Sequence, residues 1–277
     1  MAVIQYLLLL SATVLLGVVG IQITDLRVPH AVRNNSGSAA ILDCEYTLKP
    51  DELATDSFSG LVVKWYFNNS PSPVYQWIPG QKPQDLGILK GKLDLSHRAS
   101  EHSATMHRAL YIPNPTTELS GEYKCLVSTF DDEDFMTKKM VVFAAEKKLH
   151  ITWWKHDSGA INVTCNAQGV YPEPKMSLYM NTKTKESLKD VVVQVTRAYK
   201  CYDISATKVL EGRDVQSTTM FDCELRIPEA NYAVRRSVVY YPGIPHPVSG
   251  SVAGYIHCRH LLVIFCLLAL VSTSPEI

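Results

Sequence analysis

The sequence carries no excess charge and none of the common catalytic signatures. Its 27 lysines and arginines balance 27 aspartates and glutamates, so the formal net charge is zero and nothing indicates a nucleic-acid partner. No G-x-S-x-G, H-E-x-x-H, phosphate-binding loop or dinucleotide fingerprint is present. No pair of acidic residues has a spacing that argues for catalysis. We therefore expect a binding protein that needs no cofactor, and not an enzyme.

Metal-binding signatures are also missing. No two cysteines have the C-x₂-C spacing that a zinc site favours. His97, His102 and His107 recur every five residues, but this spacing places successive side chains on opposite faces of a strand and about 140° apart on a helix. We interpret the three histidines as surface residues and predict no metal site.

The N-terminus has no acidic residue before Asp25 and an apolar run over Leu7–Gly20. Small residues end the run, which is typical of a cleaved secretory signal and predicts a signal peptide over residues 1–20. An uncleaved anchor helix is the alternative, and it is disfavoured because a bilayer span needs about 20 apolar residues.

The C-terminus lacks an apolar run long enough to cross a membrane, since Leu261–Val271 is followed by polar residues and preceded by Arg259. A lipid-anchor signal requires small residues, a polar spacer and a short apolar tail. Ser249, Gly250 and Ser251 supply the small residues within a Pro/Gly/Ser-rich stalk at 242–260, and residues 261–277 supply the tail. We predict that the tail is removed and the chain lipid-anchored. The alternative is a buried strand or short helix.

Both ends place the mature chain outside the cell, on the extracellular face of the plasma membrane or secreted. Three N-x-[ST] glycosylation sequons, at Asn34, Asn68 and Asn162, are in keeping with that location. In an oxidising compartment the cysteines that remain are disulfide candidates first.

The residues around Cys44 and Cys125 have a specific pattern. Each cysteine lies in an alternating apolar stretch, Trp65 lies in another such stretch between them, and Tyr123 precedes Cys125 by two residues. This Cys…Trp…Tyr-x-Cys arrangement is that of an immunoglobulin domain, with Trp65 and Tyr123 in the core. The 81-residue interval predicts a variable-type domain over residues 21–143. Leu119 stands where many such domains carry an aspartate, so an apolar contact is expected there.

A second domain is predicted over residues 146–241, with Cys165 and Cys223 as its disulfide. The 58-residue interval suits a constant-type sandwich, and Phe221 takes the place of the tyrosine. No tryptophan occupies the expected position on the third strand of this domain, which leaves Leu178 or Tyr179 to fill the space there. Cys201 is left over, and its pairing with either neighbour stays open. The fold class is therefore all-β, with two tandem immunoglobulin-like β-sandwiches, variable-type and then constant-type.

The first domain resembles the insect beaten-path family of immunoglobulin-superfamily proteins. The similar segments are Gly60–Tyr66, Tyr75–Pro79 and Leu119–Val127, within residues 26–143. The resemblance implies neuronal cell-surface recognition, axon guidance and a partner from the same superfamily. The alternative function is that of a soluble immune-type or ligand-scavenging protein.

A partner-binding face follows from strand parity. Side chains that alternate with the core residues Trp65 and Cys125 face outward on the sheet that variable-type domains use for binding. The predicted contact residues are Lys64, Tyr66, Tyr75, Trp77, Lys124 and Leu126, although Tyr75 and Trp77 could equally be core residues. The acidic run Asp131–Asp134 is expected at a hairpin tip, as a solvated turn or as a steering patch for a basic partner.

Overall fold

The computed structural model describes residues 20–53, 58–180 and 187–243. The signal-peptide residues 1–19 and residues 244–277, which hold most of the stalk, the anchor site at Ser249–Ser251 and the apolar tail, lie outside this part. Those assignments and the exact domain boundaries stay predictions. Within the described part, no helix is long and apolar enough to cross a membrane.

Nine strands form the first sandwich, and they pair into two sheets. One sheet has the order β1-β3-β7 and the other the order β2-β9-β8-β4-β5-β6. The strands are β1 Gln22–Arg27, β2 Ala31–Arg33, β3 Ala40–Thr47, β4 Val62–Phe67, β5 Tyr75–Trp77, β6 Gln84–Asp85, β7 Leu110–Ile112, β8 Gly121–Ser128 and β9 Glu133–Phe143, with a single helical turn, α1, at Pro50–Leu53. The five-strand run from β9 to β6 includes the extra hairpin of a variable-type domain.

The core of the first sandwich is closed by a cross-link between its sheets. Cys44 of β3 is bonded to Cys125 of β8, with Cα atoms 6.4 Å apart. Trp65 is fully buried beside this disulfide, and its indole N–H donates to the carbonyl of Arg108 at 3.1 Å. The Tyr123 hydroxyl donates to the carbonyl of Leu119 at 2.8 Å, so the tyrosine ties its strand to the preceding turn.

Seven strands form the second sandwich. They are β10 Lys148–Lys155, β11 Ile161–Val170, β12 Lys175–Met180, β13 Val192–Ala198, β14 Cys201–Leu210, β15 Thr219–Ile227 and β16 Tyr232–Tyr240. The sheet orders β10-β11-β14-β13 and β12-β15-β16 are those of a constant-type domain. The predicted all-β fold with a variable-type and then a constant-type sandwich is confirmed.

The second core is built around the bond between Cys165 and Cys223, whose Cα atoms are 6.3 Å apart. Phe221 and Leu178 are buried next to it, so Leu178 fills the space that tryptophan holds in the first sandwich. Tyr179 alternates with Leu178 and therefore faces the outer side of the sheet. Cys201 is a free, half-buried thiol.

Hydrophobic contacts continue from the first sandwich into the second. Val141 of β9 belongs to the second core, and Phe143 and Ala31 pack against it. The Phe143 and Tyr232 rings lie 5.3 Å apart, and the Tyr232 hydroxyl donates to Glu146 at 2.9 Å. The end of β9, the last strand of the first sandwich, is thus part of the packing of the second.

Candidate partner-binding face

The outer face of the six-stranded sheet carries a continuous row of side chains. Consecutive cross-strand pairs join Gln84 to Gln76, Gln76 to Lys64, Lys64 to Leu126, and Leu126 to Phe135. Directly opposed residues in antiparallel strands share a face, so these five side chains lie side by side. Lys64 and Leu126 are half-buried, and Phe135 is 58 % exposed. The row is a polar-to-apolar stripe across the middle of the sheet.

Lys124 lies in the neighbouring row and connects two aromatic rings. It is paired with Tyr66 across the strands, and its ammonium group lies 4.7 Å from the Tyr66 ring centroid and 5.4 Å from that of Phe135. Such contacts hold the cation over the rings. We refer to Lys64, Tyr66, Lys124, Leu126 and Phe135 as the central cluster.

The two lysines of the central cluster have no acidic partner. Among the described residues, neither Lys64 nor Lys124 comes within salt-bridge distance of a carboxylate. The equivalent sheet of the second sandwich differs, because there Arg235 lies over the Tyr179 ring but also donates to Glu224 at 3.1 Å. The second sandwich neutralises its outward cation internally, and the first leaves two cations available to another molecule.

Tyr75 and Trp77 do not belong to this face, and the prediction that they contact a partner is wrong. Each is only 2 % exposed. In the register of β4 with β5, Tyr75 lies opposite Trp65 and Trp77 opposite Val63, so both point into the core. The Tyr75 hydroxyl donates to the carbonyl of His107 at 2.6 Å, and burial raises the pKa of Tyr75.

Phe135 is an exposed residue of this face that was not predicted from the sequence. The alternation in β9 was available, because Met140 and Val142 are buried and odd-numbered residues before them therefore face outward. Phe135 directly follows the acidic run in the sequence, and no outward positions were predicted beyond that run. Ile78, 39 % exposed and directly after β5, is a second exposed apolar residue near this face.

The acidic run at the tip between β8 and β9 is partly used within the fold. The backbone N–H of Ile23 donates to Asp134 at 2.8 Å, and that of Glu133 donates to Asp132 at 2.9 Å. Asp131 is exposed at the turn. Asp132 and Asp134 therefore accept backbone hydrogen bonds within the fold. Asp131 and Glu133 are the exposed carboxylates of the run, and they are available to attract a basic partner.

The sequons and the histidines differ in exposure, and the Asn34 side-chain oxygen is buried without a hydrogen-bond partner among the described residues. Asn68 is exposed, whereas Asn34 and Asn162 are half-buried, and their glycosylation stays a prediction. His97 stacks near Tyr111 with ring centroids 5.0 Å apart, and His107 meets the edge of Trp77 at 5.7 Å. In the described ranges, no group of three His, Cys, Asp or Glu side chains is placed to hold a metal ion.

Sheet orders, disulfides and the tyrosine contact together define a tandem of variable-type and constant-type immunoglobulin domains. No family model matches the chain. It is 25 % identical over 142 residues to butyrophilin subfamily 1 member A1 of Bos taurus, a match that covers 50 % of this chain and 25 % of the relative. The chain therefore spans about a quarter of that relative's length.

The solved structure of a relative supports the fold. The crystal structure of bovine butyrophilin is similar with a TM-score of 0.61 and 18 % identity, covering 80 % of this chain and 98 % of that one. The mouse nectin-like molecule 4 ectodomain is similar at a TM-score of 0.49 and 12 % identity, covering 76 % and 65 %. The resemblance to the beaten-path family stays a prediction.

Proposed function

We propose that this chain is an extracellular recognition protein whose first domain binds another cell-surface protein through the central cluster. The observation that carries the proposal is the combination of an exposed Phe135, a half-buried Leu126 and two lysines without carboxylate partners on one sheet face. A partner that covers this face removes apolar surface from water and meets two unpaired cations.

The chemistry of the cluster describes the surface that it fits. Aromatic side chains at the centre of an interface are frequent hot spots, because they bury much area at little cost in side-chain entropy. Lys124 is held over Tyr66 and Phe135, so part of its conformational freedom is already lost before binding. The fitting partner offers an apolar patch beside one or two carboxylates.

This charge distribution favours a partner different from the chain itself. In a two-fold symmetric contact the same patch faces itself. The central clusters of two copies would then bring Lys64 and Lys124 against like charges, which costs binding free energy. We therefore infer heterophilic binding at this face.

The experiment is a binding screen followed by paired substitutions. The secreted tandem, residues 21–248, is used to capture partners from a panel of extracellular immunoglobulin-superfamily proteins. With the partner found, Phe135→Ser is compared with Ile41→Ser, which removes an apolar side chain 45 % exposed on the opposite sheet. Lys124→Glu is compared with Lys148→Glu, an exposed lysine of the second domain.

We expect the two cluster variants to weaken binding at least about tenfold and the two controls to leave it unchanged. Equal affinities for cluster and control variants would contradict the proposed face. Absence of a partner among the extracellular proteins would contradict the function.

Neuronal guidance and lipid tethering are the finer parts of the proposal. Guidance is supported by the sequence resemblance alone, and identification of a neuronal partner tests it. Tethering at Ser249–Ser251 is tested by phospholipase treatment of intact cells, which releases a lipid-anchored chain. Constitutive shedding without the enzyme would favour the soluble alternative.

A further inference from the structure

Asn162 lies on an inner strand of the four-stranded sheet of the second domain, on the outer face. The register of β10, β11 and β14 places Trp154 directly opposite Asn162 on one side and Val209 directly opposite it on the other. Directly opposed residues in antiparallel strands share a face, with Cβ atoms about 5 Å apart. Trp154 is 45 % exposed and Val209 is 56 % exposed. The sequon asparagine is therefore flanked by two exposed apolar side chains.

Two neighbouring side chains complete this surface. The His156 ring lies 3.7 Å from the Trp154 ring between their centroids, so part of the indole is already packed while nearly half of the residue stays open to solvent. In the next row of the sheet, Val192 lies opposite Thr207 and is 61 % exposed. Contiguous apolar side chains on the surface of a soluble protein mark a place where another group binds.

The side chains of the sequon leave the attachment atom of Asn162 free. The Thr164 hydroxyl donates to the Asn162 side-chain oxygen at 3.3 Å, and among the described residues none accepts a hydrogen bond from the Asn162 amide nitrogen. An N-linked glycan is attached at this nitrogen. Because side chains stand roughly perpendicular to a sheet, a sugar on this nitrogen would leave the surface between Trp154 and Val209.

The other two sequons are placed differently. Asn68 lies in the turn after β4 with a φ of 49°, and its side-chain oxygen accepts from the backbone N–H of Glu122 at 2.9 Å. Asn34 follows the end of β2, and its side-chain oxygen is buried. Neither asparagine lies within a strand, so neither has an exposed apolar side chain paired with it on both sides.

We propose that Asn162 carries an N-linked glycan whose first N-acetylglucosamine packs between Trp154 and Val209 and covers the outer face of this sheet. The C–H groups of the sugar ring lie against the indole, whose π-face carries the negative part of the ring quadrupole. The sugar donor is an oligosaccharide on a polyisoprenyl pyrophosphate. The Asn162 nitrogen forms a bond to C1 of the sugar and loses one proton, and the bond from C1 to the pyrophosphate oxygen breaks, with its electron pair leaving on the pyrophosphate.

This glycan requires the extracellular location proposed above, but it does not depend on the central cluster, which lies on the first domain. A bulky, hydrated glycan on the outer face of the second domain would also keep protein partners away from Trp154. Recognition of another protein would then be left to the first domain.

Removal of the glycan in two steps tests the packing. In the full chain with Ser36→Ala and Ser70→Ala, Asn162 is the sequon that remains. This chain is expressed in secretory cells restricted to high-mannose glycans, and endoglycosidase H then trims its glycan to one N-acetylglucosamine. We expect the melting temperature to change by less than about 1 °C after trimming, because the first sugar makes the contact. Asn162→Gln, which removes that sugar too, should lower the melting temperature by about 3 °C.

Trp154→Ser separates packing of the glycan from its attachment. In the Trp154→Ser background, Asn162→Gln should no longer lower the melting temperature. Tyr199→Ser is the matched control, because it removes an 88 % exposed aromatic side chain from the β13–β14 turn of the same domain, and the effect of Asn162→Gln should persist in it. In NMR spectra of the trimmed protein, the C–H signals of the sugar should be shifted upfield by the indole and should lose that shift in Trp154→Ser.

Mass spectrometry of the peptide that contains Asn162 measures the attachment itself. An unmodified Asn162 in a secreted chain would overturn the proposed glycan and leave the extracellular function standing. A native chain that stays inside the cell and carries no glycan at any sequon would overturn both. A loss of melting temperature on Asn162→Gln that is equal with and without Trp154 would also overturn the proposal, because the sugar would then make no contact with the indole.

Discussion

At the scale of single residues, Glu224 stands out because it is the one charged residue that is buried in the described part of the chain, with 5 % of its surface exposed. Its carboxylate accepts hydrogen bonds from the Tyr179 hydroxyl at 2.9 Å and from Arg235 at 3.1 Å, and Arg226 lies 2.8 Å away. Burial alone would raise the pKa of Glu224. The three bonds outweigh burial, and the pKa is lowered from its usual 4.5.

Glu224→Gln should therefore lower the free energy of unfolding at pH 7 by about 1–2 kcal/mol, a value reduced because both arginines are half exposed. A lowered pKa in the folded state means that the carboxylate contributes its full stability above pH 4.5 and loses it as the pH falls further. The difference between wild type and variant should shrink toward pH 3. Urea unfolding at both pH values measures it, with the exposed Glu173→Gln as control. A pH-independent difference would contradict this account.

Tyr123 offers a second test of a single hydrogen bond. Its hydroxyl donates to the carbonyl of Leu119, and both residues are fully buried. Tyr123→Phe leaves that carbonyl without its partner and should cost about 1–2 kcal/mol of unfolding free energy. Tyr66→Phe removes a hydroxyl from the half-buried outer face and should cost less than half as much. Equal losses in denaturant titrations would contradict this expectation, because the buried hydrogen bond would then contribute no more stability than a hydroxyl on the outer face.

At the scale of elements, strand parity predicted much of the first domain, because three markers fixed which side was inside. Cys44, Trp65 and Cys125 identify the core side of β3, β4 and β8, and the two-residue period then assigns their neighbours. The outward positions of Lys64, Tyr66, Lys124 and Leu126 follow from this rule. A disulfide partner or a buried indole is a stronger marker of the core side than hydrophobicity alone.

Parity did not orient β5, and the reason is physical. The alternation in Tyr75–Trp77 shows that the two aromatic side chains share a face but not which face. That depends on the register with β4, which the length and path of the connecting turn determine. A shift by one residue would turn both rings outward. The same limit applies to β13, whose exposure depends on how far the opposite sheet extends beneath it.

The two disulfides are elements whose contributions can be compared. The closed loops span 81 and 58 residues, and the entropy of loop closure grows only with the logarithm of length. Replacing either pair by alanine should therefore cost nearly the same, about 4–5 kcal/mol for Cys44 and Cys125 and about 4 for Cys165 and Cys223.

Differential alkylation checks the pairing itself. Without reduction, Cys201 should be the thiol that becomes labelled within residues 21–241. Labelling of Cys165 or Cys223 in the native chain, with Cys201 protected, would show that Cys201 is one of the bonded cysteines of the second domain. The closed loop would then have a different length, and the expected stability cost of removing the bond would change with it.

At the scale of the whole molecule, the junction between the domains is formed by a strand of the first sandwich whose end is buried in the hydrophobic core of the second. Val141 is 2 % exposed within the second core although its strand belongs to the first sandwich. Ala144 and Tyr171 exchange both backbone hydrogen bonds, at 2.9 and 3.0 Å, and Lys139 pairs with Glu229 at 2.9 Å. Unfolding of the first sandwich would therefore expose apolar surface of the second, so the domains should stabilise one another.

Phe143→Ala tests that coupling, because Phe143 lies on a first-domain strand and packs against the second core. Loss of a half-buried ring contact should cost roughly 2 kcal/mol. Hydrogen–deuterium exchange locates the loss: amides of β16 near Tyr232 should exchange faster, while those of β3 and β8 change little. Phe130→Ala removes a phenyl ring that is 80 % exposed at the β8–β9 tip, and it should leave β16 unchanged. Faster exchange confined to the first sandwich would mean that the domains fold as independent units, since the lost contact would then stabilise only the strand that carries it.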